Sequence, residues 1–595
     1  MLELTSAGWP VFLTPGTSVQ VERHSPCFDE DVIKGEFTYS FAVPAAPNGP
    51  LYNWPERADR AQEPGEALPA ELAYQGLPLL TGAQRVTAAN PSKYTVSVQG
   101  GLSGAALSGR LLSSFAYGGV RLVERQVYLG LGGGGNPVYG DGLVAHANAV
   151  VAAPADYDYV FAPLRNEYLA APLPYTPDPL DYPPATTNPW NATPTSGGFV
   201  ATSGPGPLVM GLPPVYTLPA TGGYCPFPRL RYVLRAILEE AGFEVDVAQL
   251  LPGGLGELVI VGNAQLVDRG DWQHVGWHLA DVVPALTVAQ LLAALRADLG
   301  IIVYVDPPTQ RVRTGYLVEQ VAAETQDLTA YLAGYPDVTP GLPVGVTLTY
   351  HVDSEDALSK DLLDQQPAPE LVLPAVATVA DLPATAALSD NPQAGQVRLV
   401  EERGTYYACT LGYLDPQNVS LLWSEQAESL PAIAVQGGGE EQAQQLCYTV
   451  FKTTRLFSSN GSGQAAYPAI SQAPYRADLG TVARSSALRL LFYNGLQLAS
   501  DGQSYYPQLS LTSADQTLSL RLTGSTGTYA TWLRTWLPVK LRATTYKQPL
   551  LLPALELARL DLSRPVQLDG VRYLARQLTL TVPSRKPAVL ELVRL

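Results

Sequence analysis

The sequence predicts a mainly β, multidomain protein with one α/β segment. Three observations carry that reading. The 595 residues include 53 Gly, 52 Pro and 32 Tyr, with many Val, Leu and Thr between them, a composition of short strands joined by many turns. Apolar residues recur with period two in several stretches. Helical periodicity is concentrated between residues 228 and 320. At roughly 150 residues per domain, the length suits about four units.

Residues 1–125 read as an N-terminal β domain, with strands at Val11–Leu13, Ser18–Glu22, Phe37–Val43 and Tyr94–Val98. In the third, Phe37, Tyr39 and Phe41 would give one wholly aromatic face. Pro44 to Pro50 then stops it, because proline cannot donate to a ladder. Residues 126–227 carry the run Gly132 to Gly135, followed by many prolines and tyrosines, and read as long extended surface loops. Residues 228–342 form a small α/β domain. Leu230, Val233, Leu234, Ile237 and Leu238 make an amphipathic helix ended by Gly242. A second helix starts at Thr287 as N-cap and runs to Gly300, leading into the strand Ile301–Val305.

Residues 343–366 return to β structure through the strand Val344–Tyr350. Residues 367–430 read as a small β insertion with a hairpin of Val397–Val400 and Thr405–Thr410, and Trp423 as a core anchor. Residues 431–595 form a C-terminal β domain. Its helix at Tyr529–Leu537 is cut by Pro538, and Asp569-Gly570 joins two strands as a hairpin.

Composition excludes several roles. Charged residues make up 15 % and hydrophobic residues 46 %, too apolar for a disordered chain. A net charge of −17 opposes extended binding to nucleic-acid phosphates or to an anionic membrane surface. It suits a lumen through which DNA passes without sticking. Cys27, Cys225, Cys409 and Cys447 are irregularly spaced and read as free, buried thiols of a protein made in a reducing cytoplasm. No window offers about 18 to 20 uninterrupted apolar residues, and the first residues lack a signal-peptide pattern.

No catalytic signature emerges. His274 and His278 would share a face on a helix, but Glu does not follow His274, as a zinc hydrolase motif requires. His24, His146 and His351 read as structural. The glycine run is followed by Asn136-Pro137, which disfavours a phosphate-binding helix start. The acidic clusters Asp29 to Asp31 and Glu440-Glu441 read as solvated charge. Asp353, Glu355 and Asp356 lack the glycine-centred loop of a calcium site. The expectation is no enzyme, no cofactor and no metal. Tyr157, Tyr159, Tyr168, Tyr175 and Tyr182 stand among prolines and form the candidate interface, since tyrosine gives rigid contact area with a polar tip.

Three segments carry a resemblance. They are Phe37 to Gly49 with Trp54 to Arg57; the helix Tyr232 to Val245 with Thr287 to Leu295 and Gly300 to Val305; and Tyr529 to Leu537 with Leu557 to Leu562 and Val566 to Leu574. In these the chain resembles the tail-hub and tail-associated proteins of tailed bacteriophages and contractile injection systems, particularly a divergent form from phages of Bacteroidetes hosts. The resemblance implies a homotrimer with two hub-type β-barrel domains per chain, giving a pseudo-sixfold ring that adapts a sixfold tail tube to a threefold tip. It implies that the C-terminal strands rejoin the N-terminal region, with the α/β unit beside it. The implied partners are a distal tail or tail-tube protein, the tape-measure protein and central spike or fibre proteins, with DNA only in transit and no stable membrane association. The implied place is the virion tail tip, after synthesis in the bacterial host cytoplasm. Two other roles compete: a surface-exposed receptor- or carbohydrate-binding tail protein using the Tyr-rich loops, and a cell-wall hydrolase.

Overall fold

The structure is a computed structural model. It describes the chain apart from residues 29–34, 58–66, 102–106, 132–136, 167–185, 189, 192–197, 200–222, 252, 265, 268, 270–272, 306–310, 341–370, 377–395, 403–404, 414–420, 426–453, 458–463, 471, 476–481, 499–504, 521–524, 542–543 and 584–585. The fold is mainly β and multidomain.

A mostly antiparallel sheet of 14 strands uses both ends of the chain. Its path runs Trp9–Pro10, Leu2–Ser6, Leu68–Tyr74, Leu77–Ala89, Lys93–Gly100, Glu36–Thr38, Val19–His24, Val571–Val582, Ala588–Arg594, Thr545–Leu550 and Asp337–Thr339. The seam between the two ends is Val19–His24 against Val571–Val582, in register from Val19↔Val582 to His24↔Gln577. Val19, Val21, Leu578 and Leu590 are fully buried along it, within a core that also takes Leu72, Tyr94, Val96 and Leu592. Burying each such side chain contributes roughly 1.5–3 kcal/mol. No pairing among the described residues joins Trp9–Pro10 to Asp337–Thr339. These described strands form one continuous sheet with no closed barrel among them, and the two hub-type barrels remain what the resemblance implies. The strands from each end hydrogen-bond across the seam.

Beside it lies an α/β body. Helix Leu230–Glu240 buries Leu230, Val233, Leu234, Ile237 and Leu238, as its spacing dictates. Helix Val288–Leu299 begins with a capping box: Thr287 accepts from the Gln290 backbone, and Gln290 accepts from Thr287. Such a cap contributes about 1 kcal/mol. The helix ends at Gly300, whose φ of 60° is left-handed. Strand Ile301–Val305 pairs with Arg311–Tyr316, which also pairs in parallel with Glu244–Val245. The core of this body reaches well beyond 228–320. It takes Leu107 to Leu164 on one side and Ile470 to Trp532 on the other.

Several local expectations hold. The thiols of Cys27 and Cys225 are free and buried. Pro565–Leu568 and Val571–Val582 form a hairpin, with Asp569 at φ 46° and Gly570 at φ 79°, the positive angles such a turn requires. Gln396–Glu402 and Thr405–Tyr413 pair antiparallel.

Others are corrected. The Phe37–Val43 strand is broken into Glu36–Thr38 and Phe41–Pro44. Thr38 turns inward, where its hydroxyl accepts from Val98 N at 2.9 Å, and Tyr39 is left exposed with its hydroxyl donating to Glu22 at 2.7 Å. Of the expected aromatic face, Phe37 and Tyr39 stay together with ring centroids 5.6 Å apart, while Phe41 is buried in the core.

Residues 126–227 are not all surface loop. They include the hairpin Gln126–Leu131 with Pro137–Asp141, the helix Gly142–Ala152, and buried Phe161, Trp190, Phe199 and Tyr224. Irregular backbone can enter this interior because buried Asn188 satisfies it. Its amide donates to Ala162 O and Cys225 O and accepts from Cys225 N.

Pro538 does not end its helix. A π-helical turn at Tyr529–Leu533 runs into an α-helix at Arg534–Leu541. A widened turn is one way a helix accommodates a missing N–H. Val344–Tyr350 and the side chain of Trp423 lie outside the described residues.

Candidate functional site

Four arrangements are candidates for function: the joint between the bodies, the sheet edges, a polar clamp and an aromatic cluster. The joint is a separate apolar cluster. Leu574 and Val593 come from the sheet and Cys27 from the turn after Val19–His24, Ile302 and Leu317 from the α/β body, and Trp536 and Val539 from the helix between them. Trp536 lies 5.2 Å from the Phe28 ring. One turn earlier, Trp532 is buried in the α/β core and packs on Gly300. One helix therefore anchors in two cores. Polar contacts flank the joint: Arg572 donates to Val321 O and Ala323 O, and the Gln326 side chain exchanges hydrogen bonds with the Asp561 backbone.

Within the sheet, Arg23 is buried and holds a short helix in place. Its Nε contacts Glu36 at 2.6 Å, and its two terminal nitrogens donate to Leu557 O and Leu560 O at 2.9 and 3.0 Å. Those carbonyls belong to the end of helix Ala554–Arg559, where acceptors go unmet without such a partner.

The sheet's two edges carry large exposed apolar side chains. Trp9 is 68 % and Phe12 57 % exposed at one edge; Tyr335 is 96 % and Val338 49 % exposed at the other. Edge strands left unpaired are templates for pairing with another chain.

The polar clamp joins distant segments. Asn166 donates to Asn263 Oδ1 and Gln472 O, and Asn263 donates to Gln472 O and Ala473 O, at 2.8 to 3.0 Å. Arg484 lies over the Tyr475 ring and donates to Ala280 O. The cavity beside them holds about 20 Å³, room for one water.

The aromatic cluster surrounds His146 on helix Gly142–Ala152. Its ring centroid lies 5.4 Å from Tyr157, 6.0 Å from Tyr159, 6.2 Å from Phe161 and 5.8 Å from Trp277. Nε2 is 2.9 Å from the Tyr159 hydroxyl. Burial lowers the His146 titration and raises that of Tyr159.

The candidate interface tyrosines separate. Tyr159 is buried in the core and offers no contact surface, because its hydroxyl is turned to His146. Tyr157 is half-buried against the same core. Tyr168, Tyr175 and Tyr182 lie outside the described residues, as do Gly132 to Gly135, Asp29 to Asp31, Glu440-Glu441, Asp353, Glu355, Asp356 and His351. His274 and His278 lie on a strand, His274–His278, not a helix. Four residues of strand span about 13 Å, too far for the two to share a metal ion. Among the described residues no group of three or more His, Cys, Asp or Glu is placed to hold a metal, and no helix is long and apolar enough to cross a membrane. Sequence reasoning missed Arg23, Trp536 and the role of His146. Each acts through segments remote in the chain, and only the i, i+4 spacing of Trp532 and Trp536 was legible.

No family model matches the chain, and no curated protein matches it. Among solved structures, the chain is similar to the 43 kDa tail protein of prophage MuSo2 from Shewanella oneidensis, at 8 % identity and a TM-score of 0.28, covering 100 % of this chain and 97 % of that one. Values that low do not establish a shared fold.

Proposed function

We propose that the chain is a structural tail protein of a bacteriophage-type particle, acting as a homotrimeric hub at the tail tip. In this reading three copies form a ring that adapts a sixfold tube to a threefold tip. The ring gates passage of the tape-measure protein and DNA, and its work is mechanical, not catalytic. Its neighbours are a distal tail or tail-tube protein and a central spike or fibre protein.

The observation that carries the reading is the sheet built from both ends of the chain, with exposed aromatic side chains at two different edges among the described residues. Different edges favour head-to-tail contacts between copies, and such contacts close into rings when the rotation allows. The order of the three resembling sequence segments supports it, and the −17 charge suits a lumen that does not hold DNA.

Light scattering after size exclusion tests it. The expected mass is three times 63.5 kDa, with threefold averages in electron micrographs. A stable monomer at micromolar concentration that binds no tail component would overturn it.

A further inference from the structure

Helix Gly142–Ala152 is fastened at two points. At its start the Asp141 carboxylate accepts from the Leu143 and Val144 backbone, and Gly142 lies so close to the Glu124 carbonyl that no Cβ fits. In its middle, His146 enters the cluster of Tyr157, Tyr159, Phe161 and Trp277. A neutral imidazole suits that place. His146 Nε2 and the Tyr159 hydroxyl, kept as the phenol by burial, share a hydrogen bond in which the hydroxyl donates when the neutral imidazole carries its proton on Nδ1. A proton on Nε2 turns the acceptor into a donor. It deprives the hydroxyl of its acceptor and places a cation among four rings.

The surrounding charges are engaged elsewhere. On the segment before Tyr159, Asp158 pairs with Arg121 at 3.3 Å and Arg235 at 3.6 Å. Asp156 closes a short 3-10 turn, and Arg229, beside the strand that pairs with Tyr159, bonds Glu257. On the ribbon of Val120–Glu124 with His274–His278, Arg125 donates to His274 O, and Glu124 lies opposite His274. Asp141 caps the helix itself. The seam also holds a second unmet need: the Trp277 indole N–H is buried with no hydrogen-bond partner among the described residues. Opening would let both groups reach water.

We propose that this seam is an acid-sensitive latch, in which protonation of His146 releases helix Gly142–Ala152 from the Tyr157–Phe161 segment and from Trp277. The proposal is independent of the assembly role. The sign follows from the burial. A histidine whose folded titration lies below its ordinary value of 6.5 gives full stability above that pH. The stability is lost as pH falls toward the folded value, and no more is lost below it. Each pH unit between the two values changes the opening constant tenfold at the limit.

Hydrogen exchange read by mass spectrometry on the full chain tests it, at about pH 7.5 and about pH 5, corrected for the intrinsic rate. Peptides from 142–161 and those holding Trp277 should lose protection several-fold at the lower pH, while the sheet core does not. His146→Phe fills the space without titrating, and His146→Gln keeps a partner for Tyr159; both should abolish the difference. Unchanged protection in the natural chain, equal loss in whichever variant folds, or uniform loss across all peptides would overturn the latch.

Discussion

Replacing Trp536 with alanine should weaken the joint between the sheet and the α/β body more than any other single truncation there. Trp536 is 6 % exposed and is the largest side chain of the joint. A tryptophan buries about 150–250 Å², which at about 25 cal/mol per Å² is worth about 4–6 kcal/mol of transfer energy. Alanine keeps part of that, and Phe28, Tyr304 and Leu595 at the margin can settle into the space. The expected loss is therefore about 3–5 kcal/mol, the usual range for a large aromatic truncated in a core. Urea denaturation followed by far-UV circular dichroism and by hydrogen exchange would measure it. Peptides around Cys27 and around Ile302–Leu317 should lose protection together, since both ends of the joint lose the same partner. Trp532→Ala should instead loosen the α/β core around Gly300. Tyr335→Ala, at a fully exposed position, should stay within about 0.5 kcal/mol of the natural chain. If Trp536→Ala also stayed within that margin, the helix would not be what joins the two bodies.

Arg23→Met removes the contact to Glu36 and leaves the Leu557 and Leu560 carbonyls without their donor, so thermal unfolding should show a loss of about 3–5 kcal/mol. Arg23→Lys should recover only part of it, because one ammonium cannot reproduce the forked contacts. Gly142→Ala should destabilise by about 1–3 kcal/mol from overpacking, although alanine favours a helix by about 1 kcal/mol; a gain in melting temperature would contradict the close approach to Glu124. Burial pushes the Cys225 thiol up to about 12, so iodoacetamide at mildly alkaline pH should leave it unmodified until urea is added, as read by peptide mass spectrometry. On a glycan array a tail hub should bind nothing, and a strong signal would favour the receptor-binding role instead.

What could be read from the sequence was local. Thr287, Gln290 and Gly300 mark the start and stop of a helix within a few residues of one another, so no distant contact is needed to recognise it. Asp569-Gly570 likewise sets a hairpin, because the turn alone demands positive φ. The spacing of Leu230 to Leu238 declares its buried face. The strand content and the mainly β class follow from the same short-range signals.

What the tertiary structure decided was partnership. Nothing in Val19–His24 specifies Val571–Val582 as its neighbour, since many strands share the same alternation and register is fixed by burial and closure. The Ser25 hydroxyl reaches Leu562 O across 537 positions of sequence. Phe37 and Tyr39 follow the alternation of a buried face, yet Thr38 takes the inward place because its hydroxyl meets Val98 N. Tyr159 looked like a contact residue among prolines and is core, because Asn188 satisfies the irregular backbone around it and His146 takes its hydroxyl. Local patterns thus marked the helices at 230–240 and 288–299, the cap at Thr287 and the Asp569-Gly570 turn. Which strands share a sheet, which aromatics are buried and where the two bodies join depended on long-range packing that no local pattern encodes.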